Sequence, residues 1–458
     1  MGDIVPDTPT ALRWSDSNVE TPALIVAPEN ENEVIKAIQQ AREYKLKVLV
    51  AGGGTAAFVP VTENTLHLSM ERFKHIKLDE STQTVDIGGG VLAGQLIQYL
   101  DDRGYYTVYP GSNAVGMAGF VLGGGGHHFL GLHGLAVDNV VSFQLITAEG
   151  KSIVASQTSP REEAALFQVL RGAGFGYGVI TSFRMKVYPL STLQLAHNQV
   201  ITRRLVFDGS SICTAARAFG SVGRPPARLR ISLHMTRAPA NVPGSGQALL
   251  ILDAMYIGPE DEAHDAFAPL RRDDIAREAL SIKQFAQSLD KINEAAEPGD
   301  IRGGFKDLSM VAMKELSLEA IREAYTRWFA LTEDLEDAKR SFVTISRFDT
   351  TLSEQVGAVD DFCNKTLCTS TRDRYTACVI GTCFNKPELR HTSEAYAGYI
   401  RDALTKDDER PRRTNVNCMR PHPPLREMFW DGQVAELRRV KEVWDPEDLF
   451  WCPWLQDR

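Results

Sequence analysis

Four glycine-rich stretches constrain the fold of this chain more than any other feature of its sequence. They read AGGGT (51–55), GGG (88–90), GFVLGGGG (119–126) and GAGFGYG (172–178). Glycine adopts positive φ at little steric cost and lets a ligand approach the backbone, because no Cβ stands in the way. Any one stretch is compatible with a simple tight turn. Together they predict a long, phosphate-bearing ligand held by main-chain N–H groups, which form anion-binding nests.

The segments around these stretches alternate between strands and helices. Strands are predicted at 23–28, 46–54, 140–150 and 178–190, and at the shorter runs NTLHLSM, HIKLD and TVDIGGG. Helices are predicted at 29–45, 91–104 and 162–172, where apolar residues recur at helical spacing. We therefore predict an α+β or α/β domain over residues 18–192.

The pattern changes beyond this region. ALLILDAMYIG, RSFVTISRF and YTACVIGTCFN predict strands of a sheet, while DEAHDAFAPLRR and LEAIREAYTRWFALTEDL predict amphipathic helices between them. We assign residues 193–408 to a second domain on this basis. The remainder, 409–458, holds the predicted helix VAELRRVKEVW followed by DPEDLFWCPW, and forms a third, C-terminal segment.

The glycine pattern also admits a dinucleotide-binding unit of the Rossmann type. TVDIGGGVLAGQL has the required order of strand, GxGxxA and helix. That unit needs an acidic residue about 20 positions later, after the next strand. Here Asp101 and Asp102 lie inside the helix itself, and GAGFGYG is followed by the strand VITSF rather than by a helix. The dinucleotide unit is therefore the weaker interpretation.

The composition excludes several classes of protein. The 458 residues include 50 Lys and Arg against 59 Asp and Glu, a net charge of −9, so we expect no nucleic-acid partner. No apolar run reaches the roughly 18 residues of a membrane span, so we expect no membrane association. The first residues, MGDIVPDTPTALRW, lack the basic and apolar regions of a secretory signal, which predicts a cytoplasmic location. The seven cysteines form no CxxC pair, so we expect no metal site.

Three motifs in order resemble a known family. PGSNAVGMAGFVLGGGGHHFLGLHGLAVDNVVSFQLITAEG (110–150), LFQVLRGAGFGYGVITSF (166–183) and KEVWDPEDLF (441–450) are similar to the vanillyl-alcohol-oxidase/PCMH flavoproteins. Within that superfamily they resemble the berberine-bridge-like FAD oxidases of fungi. The resemblance implies a PCMH-type FAD-binding domain of two α/β subdomains. A substrate domain of antiparallel sheet and helices is inserted before a C-terminal segment that returns to the flavin.

The resemblance also implies which residues hold FAD. In the family one glycine loop wraps the pyrophosphate, a second runs along the pyrophosphate and flavin ring, a third segment closes from the other side, and a C-terminal asparagine reaches the flavin. His127 matches a "GGGH" variant of the second loop, whereas His128 follows that match and is not part of it. The expected cofactor-binding residues are Ala51, Gly52, Gly53, Gly54, Thr55, Pro110, Gly111, Ser112, Asn113, Val115, Gly116, Gly119, Gly124, His127, Gly174, Gly178, Val179, Asn415 and Asn417.

The residues that attach FAD covalently in many family members are absent from this sequence. Thr55 occupies the position of the bonded histidine, and Ser112 occupies that of the bonded cysteine, or Asn113 if the alignment gap lies elsewhere. None of these side chains forms the usual flavin bond. We therefore expect FAD to be bound non-covalently.

The chemistry that the resemblance implies is hydride transfer from a substrate C–H bond to flavin N5, followed by reoxidation by O2. The expected substrate is a small secondary metabolite, such as an alcohol, an amine or an alkaloid-like intermediate. A catalytic base must have a suitable pKa and reach the substrate proton. The position of that base varies within the family, so we leave it unassigned among the candidates Tyr109, Tyr177, His127, Tyr375, Asp349 and His422.

Two functions stay open at this point. The first is an FAD oxidase, either monomeric or homodimeric. The second is a non-redox flavoprotein that isomerises, cyclises or dehydrates a biosynthetic intermediate, which the missing attachment residues make more credible. In the family, the residue three positions after the bonded cysteine gates oxygen. Counted from Ser112 this is Val115, and valine resembles the oxygen-reactive members; counted from Asn113 it is Gly116.

Overall fold

The first part of the chain forms a small parallel sheet beside a helix. The computed structural model describes residues 11, 13–240, 244–357, 370–420, 424–430 and 432–454. The elements are β1 (Leu24–Val26), α1 (Glu31–Glu43), β2 (Lys47–Ala51) and β3 (Thr65–Ser69), with strand order β1-β3-β2. Asn30 caps the N-terminus of helix α1, and its side chain accepts a hydrogen bond from the N–H of Glu33 at 3.1 Å. Val34, Ile38 and Ala41 share one face of α1 and bury it against the sheet.

A five-stranded antiparallel sheet follows, in the order β4-β5-β9-β7-β8. The elements of this region are β4 (Ile76–Asp79), β5 (Thr84–Gly88), α2 (Ala93–Asp101), β6 (Tyr105–Tyr106), α3 (Met117–Leu122), α4 (Leu130–His133), β7 (Val140–Ile146), β8 (Ser152–Ser156), α5 (Arg161–Ala173), β9 (Val179–Lys186) and β10 (Tyr188–Pro189). Each glycine-rich stretch of the sequence includes the last residue of a strand or helix, namely β2, β5, α3 or α5. These stretches therefore lie where the chain leaves its regular structure.

The next region is built on a seven-stranded antiparallel sheet in the order β14-β11-β13-β12-β16-β17-β15. Its elements are β11 (Gln199–Asp208), α6 (Ile212–Ser221), β12 (Leu229–Arg237), β13 (Ala248–Tyr256), α7 (Glu260–Ala266), α8 (Asp273–Ala276), β14 (Ala279–Ser288), β15 (Phe305–Met313), α9 (Leu318–Asp334), β16 (Phe342–Arg347), α10 (Thr351–Gly357), β17 (Thr376–Phe384) and α11 (Arg390–Thr405). On one face Leu233, Ile345 and Ile380 pack into a hydrophobic core with Trp328 of α9 and Leu404 of α11. Successive strand residues point to opposite sides, so the residues between them occupy the other face.

The C-terminal segment returns to the glycine-rich region. After α12 (Gln433–Trp444), Lys441 Nζ donates to the Asp445 carboxylate at 2.7 Å, to the Gly176 carbonyl at 2.7 Å and to the Phe450 carbonyl at 2.8 Å. Asp445 also accepts from the N–H of Phe450 at 2.8 Å, and Phe450 pairs in parallel with Val48 of β2. The ion pair is buried, so the motif KEVWDPEDLF holds the chain end against the third glycine stretch.

The mixed architecture agrees with the predicted α+β fold class, and the strands predicted in the first region are present. Four strands of the larger sheet, β11, β12, β14 and β15, escaped the sequence analysis because charged or polar residues interrupt their apolar pattern. The domain limits at 192 and 408 stay predictions. Among the described helices, none is both long and apolar enough to cross a membrane.

Candidate cofactor and substrate site

A cavity of about 550 Å³ lies between the glycine-rich region and the larger sheet. This is within the size range of sites for cofactors and small molecules. All four glycine stretches, after β2, after β5, around α3 and after α5, contribute to one wall, and strands β12, β15, β16 and β17 contribute the other. The C-terminal segment adds Asn415, Asn417, Cys418, Phe450 and Trp451.

Two glycine loops meet backbone to backbone at the wall of this cavity. A Cβ on Gly53 would lie 2.5 Å from the amide nitrogen of Gly116, a distance that real Cβ atoms essentially never show. By contrast, a Cβ on Gly119 or Gly126 would meet no atom within 4 Å, although both residues line the cavity. The bare backbone at these two positions therefore leaves space for a ligand, whereas at Gly53 it serves internal packing.

The side chain of Asn417 holds the second glycine loop in shape. Its Nδ2 donates to the carbonyl oxygens of Gly119 at 3.1 Å and of Phe120 at 3.2 Å, and its Oδ1 accepts from the N–H of Gly125 at 2.9 Å. Asn415 in turn accepts a hydrogen bond from the N–H of Asn417 at 2.8 Å. The C-terminal segment therefore supports the loop through its backbone groups.

Two arginines from outside the loops stand at the first glycine loop. Arg302 donates to the Gly53 carbonyl at 3.2 Å, and Arg13 donates to the carbonyls of Ala56 and Val59. Burial, together with the charge of Arg302, lowers the pKa of Arg13 to about 10. Arg13 is therefore still a cation at neutral pH, and it lines the cavity beside a loop whose own side chains are neutral.

His127 presents a buried nitrogen at the cavity wall. The N–H of Phe129 donates to its Nδ1 at 3.0 Å, so the neutral ring carries its proton on Nε2. Among the described residues Nε2 finds no hydrogen-bond partner. Burial lowers the pKa of His127 well below its usual range, which keeps the ring neutral.

His128 belongs to a chain of hydrogen bonds that links the two walls. Arg230 of β12 donates to His128 Nδ1, His128 Nε2 contacts Asn293 Oδ1 at 3.2 Å, and Asn293 Nδ2 donates to the Pro110 carbonyl at 3.0 Å. Arginine can only donate, so Nδ1 must accept and the His128 proton resides on Nε2. Burial and the charge of Arg230 lower the pKa of His128 to about 3. The chain runs donor to acceptor in one direction, from the sheet to the start of the second glycine loop.

The sheet wall is mainly apolar. Phe342, Thr344 and Ser346 alternate along β16 and line the cavity, as Ala377 and Val379 do on β17. Leu308, Met310 and Phe348 complete this surface. It is suited to the body of an organic molecule with few polar groups.

A row of polar side chains continues from this wall across the sheet. His234 Nδ1 contacts the Thr344 hydroxyl at 3.0 Å, and His234 Nε2 lies 4.0 Å from an Asp253 oxygen. Asp253 accepts two hydrogen bonds from Arg204, both at 2.7 Å. Burial lowers the pKa of His234 to about 4, so its ring is neutral at neutral pH. The Thr344 hydroxyl therefore shares its hydrogen bond with a neutral ring.

Most of the predicted cofactor-binding residues line this cavity. The exceptions are Asn113, Gly124 and Val179. Asn113 instead accepts from Asn293 Nδ2 at 3.2 Å, and the next residue after Val179, Ile180, lines the cavity in its place. The sequence pattern thus located a set of residues from four separate segments that the fold brings together.

Two candidate bases are directed away from the cavity. The Tyr109 hydroxyl donates to the Leu289 carbonyl at 3.3 Å, and the Tyr177 hydroxyl donates to the Leu437 carbonyl at 3.0 Å. Neither residue lines the cavity. Burial raises the pKa of both phenols, so both stay protonated. Each is a packed core tyrosine in this structure.

Two further candidate bases also lie outside the cavity. Asp349 accepts from Arg224 at 3.2 Å and from the Thr351 hydroxyl at 2.7 Å, outside the cavity. Tyr375 is likewise not a lining residue, and its ring lies 6.0 Å from the Arg224 guanidinium. His422 lies outside the described residues. Of the six candidates His127 alone is described at the cavity wall.

Several lining residues escaped the sequence analysis. Arg13, Arg230, Asp300 and Thr344 come from segments with no recognisable motif. A signal for Arg230 existed in the alternation LRISLHMTR, where every second residue is apolar and the residues between are polar. That pattern predicts a strand with one polar face, although it does not say what the polar face meets.

Comparisons with known proteins show what this chain is similar to. A family model described as FAD binding domain matches residues 22–156. The FAD-linked oxidoreductase fogF of Aspergillus ruber is 28% identical over 272 residues, which are 58% of this chain and 52% of that protein. The FAD-linked oxidoreductase OXR1 of Pyricularia oryzae is 24% identical over 450 residues, 96% of this chain and 84% of that protein. This chain spans about half the length of curated relatives such as fogF.

The fold has a counterpart among solved structures. Physcomitrella patens BBE-like 1 superposes with a TM-score of 0.79 at 18% identity, covering 96% of this chain and 93% of that one. At this identity the likeness concerns the fold alone.

Proposed function

We propose that this chain, which belongs to the berberine-bridge-like FAD-linked oxidoreductases, binds FAD in the cavity and oxidises a small organic molecule beside it. The observation that carries the proposal is the cavity itself. Its glycine wall leaves backbone N–H groups and open space at Gly119 and Gly126, and its other wall is an apolar sheet surface. The first wall suits a phosphate-bearing cofactor and the second a substrate.

The residues present fit FAD. Bare backbone in three segments offers N–H groups to phosphates, and Arg13 adds a cation next to the first loop. His127 lines the cavity as a neutral ring.

When bound, FAD supplies a two-electron acceptor: a substrate C–H bond gives up a hydride to it while the adjoining O–H or N–H loses a proton, and the two electrons and two protons then reduce O2 to H2O2. The product therefore carries a C=O or C=N bond. The chain must take up the second proton. Thr344, which is hydrogen-bonded to His234, is placed for this at the cavity wall.

We further propose that the cofactor is held without a covalent bond. Thr55 and Ser112 line the cavity where family members place a bonded histidine and cysteine. The Ser112 hydroxyl donates to an Asp300 carboxylate oxygen at 2.6 Å, so it is engaged within the protein. Binding of FAD then depends only on non-covalent contacts with the residues that line the cavity.

Acid precipitation of the purified protein tests cofactor and attachment together. The yellow colour should stay in the supernatant, and the denatured chain should have the mass calculated from its sequence. A yellow pellet with added FAD mass would overturn non-covalent binding. A colourless protein that takes up no added FAD would overturn the cofactor assignment itself.

An anaerobic screen with small alcohols and amines tests the reaction. Bleaching of the flavin band on mixing, with one aldehyde, ketone or imine formed per flavin, is the expected result. Product formed without bleaching, and also formed by enzyme reduced beforehand, would instead show non-redox isomerisation or dehydration. That alternative is favoured only by the loss of the two attachment residues.

A further inference from the structure

We propose that Arg230 forms an oxyanion-binding position in the cavity, so that the substrate is an apolar, ring-containing molecule that bears a carboxylate or a phenolate-type oxygen. This inference rests on the proposed function, because it assigns the substrate class of that same cavity. It concerns the sheet wall and not the glycine wall.

The position of Arg230 makes its charge available to a ligand. In β12 the neighbours Leu229 and Ile231 are buried in the helix-covered core, so Arg230 between them lies on the opposite, cavity-facing side. Its Nε is buried and has no hydrogen-bond partner among the described residues. Among the residues that the structure describes, no carboxylate forms a salt bridge with Arg230. Its guanidinium thus keeps donor capacity toward the cavity.

The one described hydrogen-bond partner of Arg230 does not neutralise it. His128 accepts through Nδ1 as a neutral ring, since burial and Arg230 itself keep its pKa at about 3. Burial lowers the pKa of Arg230 to about 10, while the more distant Asp253 opposes this shift. Arg230 is therefore charged at neutral pH. A bound oxyanion would give this cation the ionic partner that it lacks among the described residues.

The hydrogen-bond chain behind Arg230 fixes where its charge points. His128 leads to Asn293, and Asn293 donates to the carbonyl of Pro110 at the start of the second glycine loop. Asn293 is 1% exposed, so this support is rigid and dry. An oxyanion bound to Arg230 would therefore have a fixed position relative to the loop that we propose to hold the flavin.

The surroundings of Arg230 select for a ring. The Phe348 ring centroid lies 5.8 Å from the Arg230 Cζ atom, and Phe342, Val379 and Met310 provide apolar surface on the neighbouring strands. Arginine donates in a planar fork that matches the two oxygens of a carboxylate, and it also stacks beside aromatic faces. An aromatic acid or phenolate satisfies both features, whereas a neutral polyol satisfies neither.

Calorimetric titration with matched ligand pairs tests the proposal on the FAD-saturated protein. Benzoate is compared with benzamide, and 4-nitrophenolate with 4-nitroanisole, so that the pair with the larger ratio identifies which oxyanion the site prefers. We expect the anionic member of at least one pair to bind about tenfold or more tightly than its neutral partner. Arg230→Gln should reduce this ratio to near unity, and Arg230→Lys should retain part of it.

Arg203→Gln is the matched control, because Arg203 lies two strands away in the same sheet and pairs with Ala254, whose side chain is in the helix-covered core. It should leave the ratio unchanged. Equal ratios in wild type and Arg230→Gln would overturn the proposal. So would a loss of FAD from Arg230→Gln with the ratio unaltered, since Arg230 would then serve the cofactor. The proposed function fails separately, if the wild-type protein binds no FAD. In that case the same titration, done on the FAD-free protein, still reports the anion preference.

Discussion

The Oδ1 atom of Asn417 accepts a hydrogen bond of 2.9 Å from the backbone N–H of Gly125. The same side chain donates to the Gly119 and Phe120 carbonyls, so it joins the two ends of one loop across its opening. A Cβ on Gly123 would lie 2.2 Å from Asn417 Nδ2, which shows how closely the amide fits. A residue far along the chain thus determines the shape of the second glycine loop.

Asn417→Asp should weaken FAD binding without unfolding the protein. Aspartate has the same shape and keeps the acceptor for Gly125, but its second oxygen would face two carbonyl oxygens instead of donating to them. Lost and unsatisfied hydrogen bonds of this kind cost about 1–3 kcal/mol, so the Kd for FAD should rise about tenfold or more. Fluorescence titration of deflavinated protein measures it. Asn385→Asp, at an exposed site, should have no effect, and an unchanged Kd in Asn417→Asp would contradict the role of Asn417.

Gly119→Leu should exclude FAD by filling the cavity. The Cβ at this position meets no atom within 4 Å, so the leucine side chain extends into open space that the cofactor would occupy. Replacing a helical glycine also removes a local cost of about 0.5–1 kcal/mol, so the fold should persist. We expect FAD content near zero, with a thermal midpoint close to that of deflavinated wild type. Gly398→Leu, at an equally open position in α11, should keep full FAD content. Retained stoichiometric FAD in Gly119→Leu would place the cofactor elsewhere.

The local parts of the site were predictable from the sequence, and the parts formed between distant strands were not. Glycine loops such as 51–55 and 119–126 can be recognised from a few consecutive residues, because a run of glycines is itself a local signal of bare or tightly turned backbone. Arg230 and Thr344 share a wall only because β12 pairs with β16, more than 100 residues later in the chain. No local pattern specifies that pairing.

The candidate bases also show that long-range contacts could not be predicted from the sequence. Tyr109 and Tyr177 were both among the candidate bases, and both lie in or beside glycine-rich stretches of the sequence. Their hydroxyl groups are instead bound by the carbonyls of Leu289 and Leu437, whose positions depend on long-range packing. Side-chain direction at the end of a loop is determined by such partners, so a residue's place in a motif does not reveal it.

His67 should make the protein less stable in mild acid. It lies in β3, is 4% exposed, and neither ring nitrogen has a hydrogen-bond partner among the described residues. Burial, with a contribution from Arg13, lowers its pKa to about 4. The unfolded chain, with a histidine pKa of about 6.5, binds a proton that the folded chain does not, so stability falls as the pH drops from about 6.5 to about 4.

Replacing His67 by leucine should reduce this acid sensitivity. One such group contributes at most about 1.36 kcal/mol per pH unit to the free energy of unfolding. The thermal midpoint of His67→Leu should therefore fall less steeply than that of wild type across this window. His391→Leu, where the side chain is 96% exposed, should follow wild type. Parallel midpoint curves for His67→Leu and wild type would refute the assignment.

Val115→Leu should slow the reaction of the reduced enzyme with oxygen. Val115 lines the cavity and packs against the main hydrophobic core, and its carbonyl accepts from the N–H of Ala93 at 2.9 Å, so its backbone is fixed. The extra methylene of leucine must then project into the cavity, where it narrows the space available to O2. We expect reoxidation to slow by about tenfold, equivalent to about 1.4 kcal/mol in activation free energy, while anaerobic flavin reduction changes little. Stopped-flow absorbance after mixing reduced enzyme with aerated buffer gives the rate, with Val141→Leu on the partly exposed strand β7 as the matched control. Equal reoxidation rates in wild type and Val115→Leu would show that Val115 does not gate oxygen.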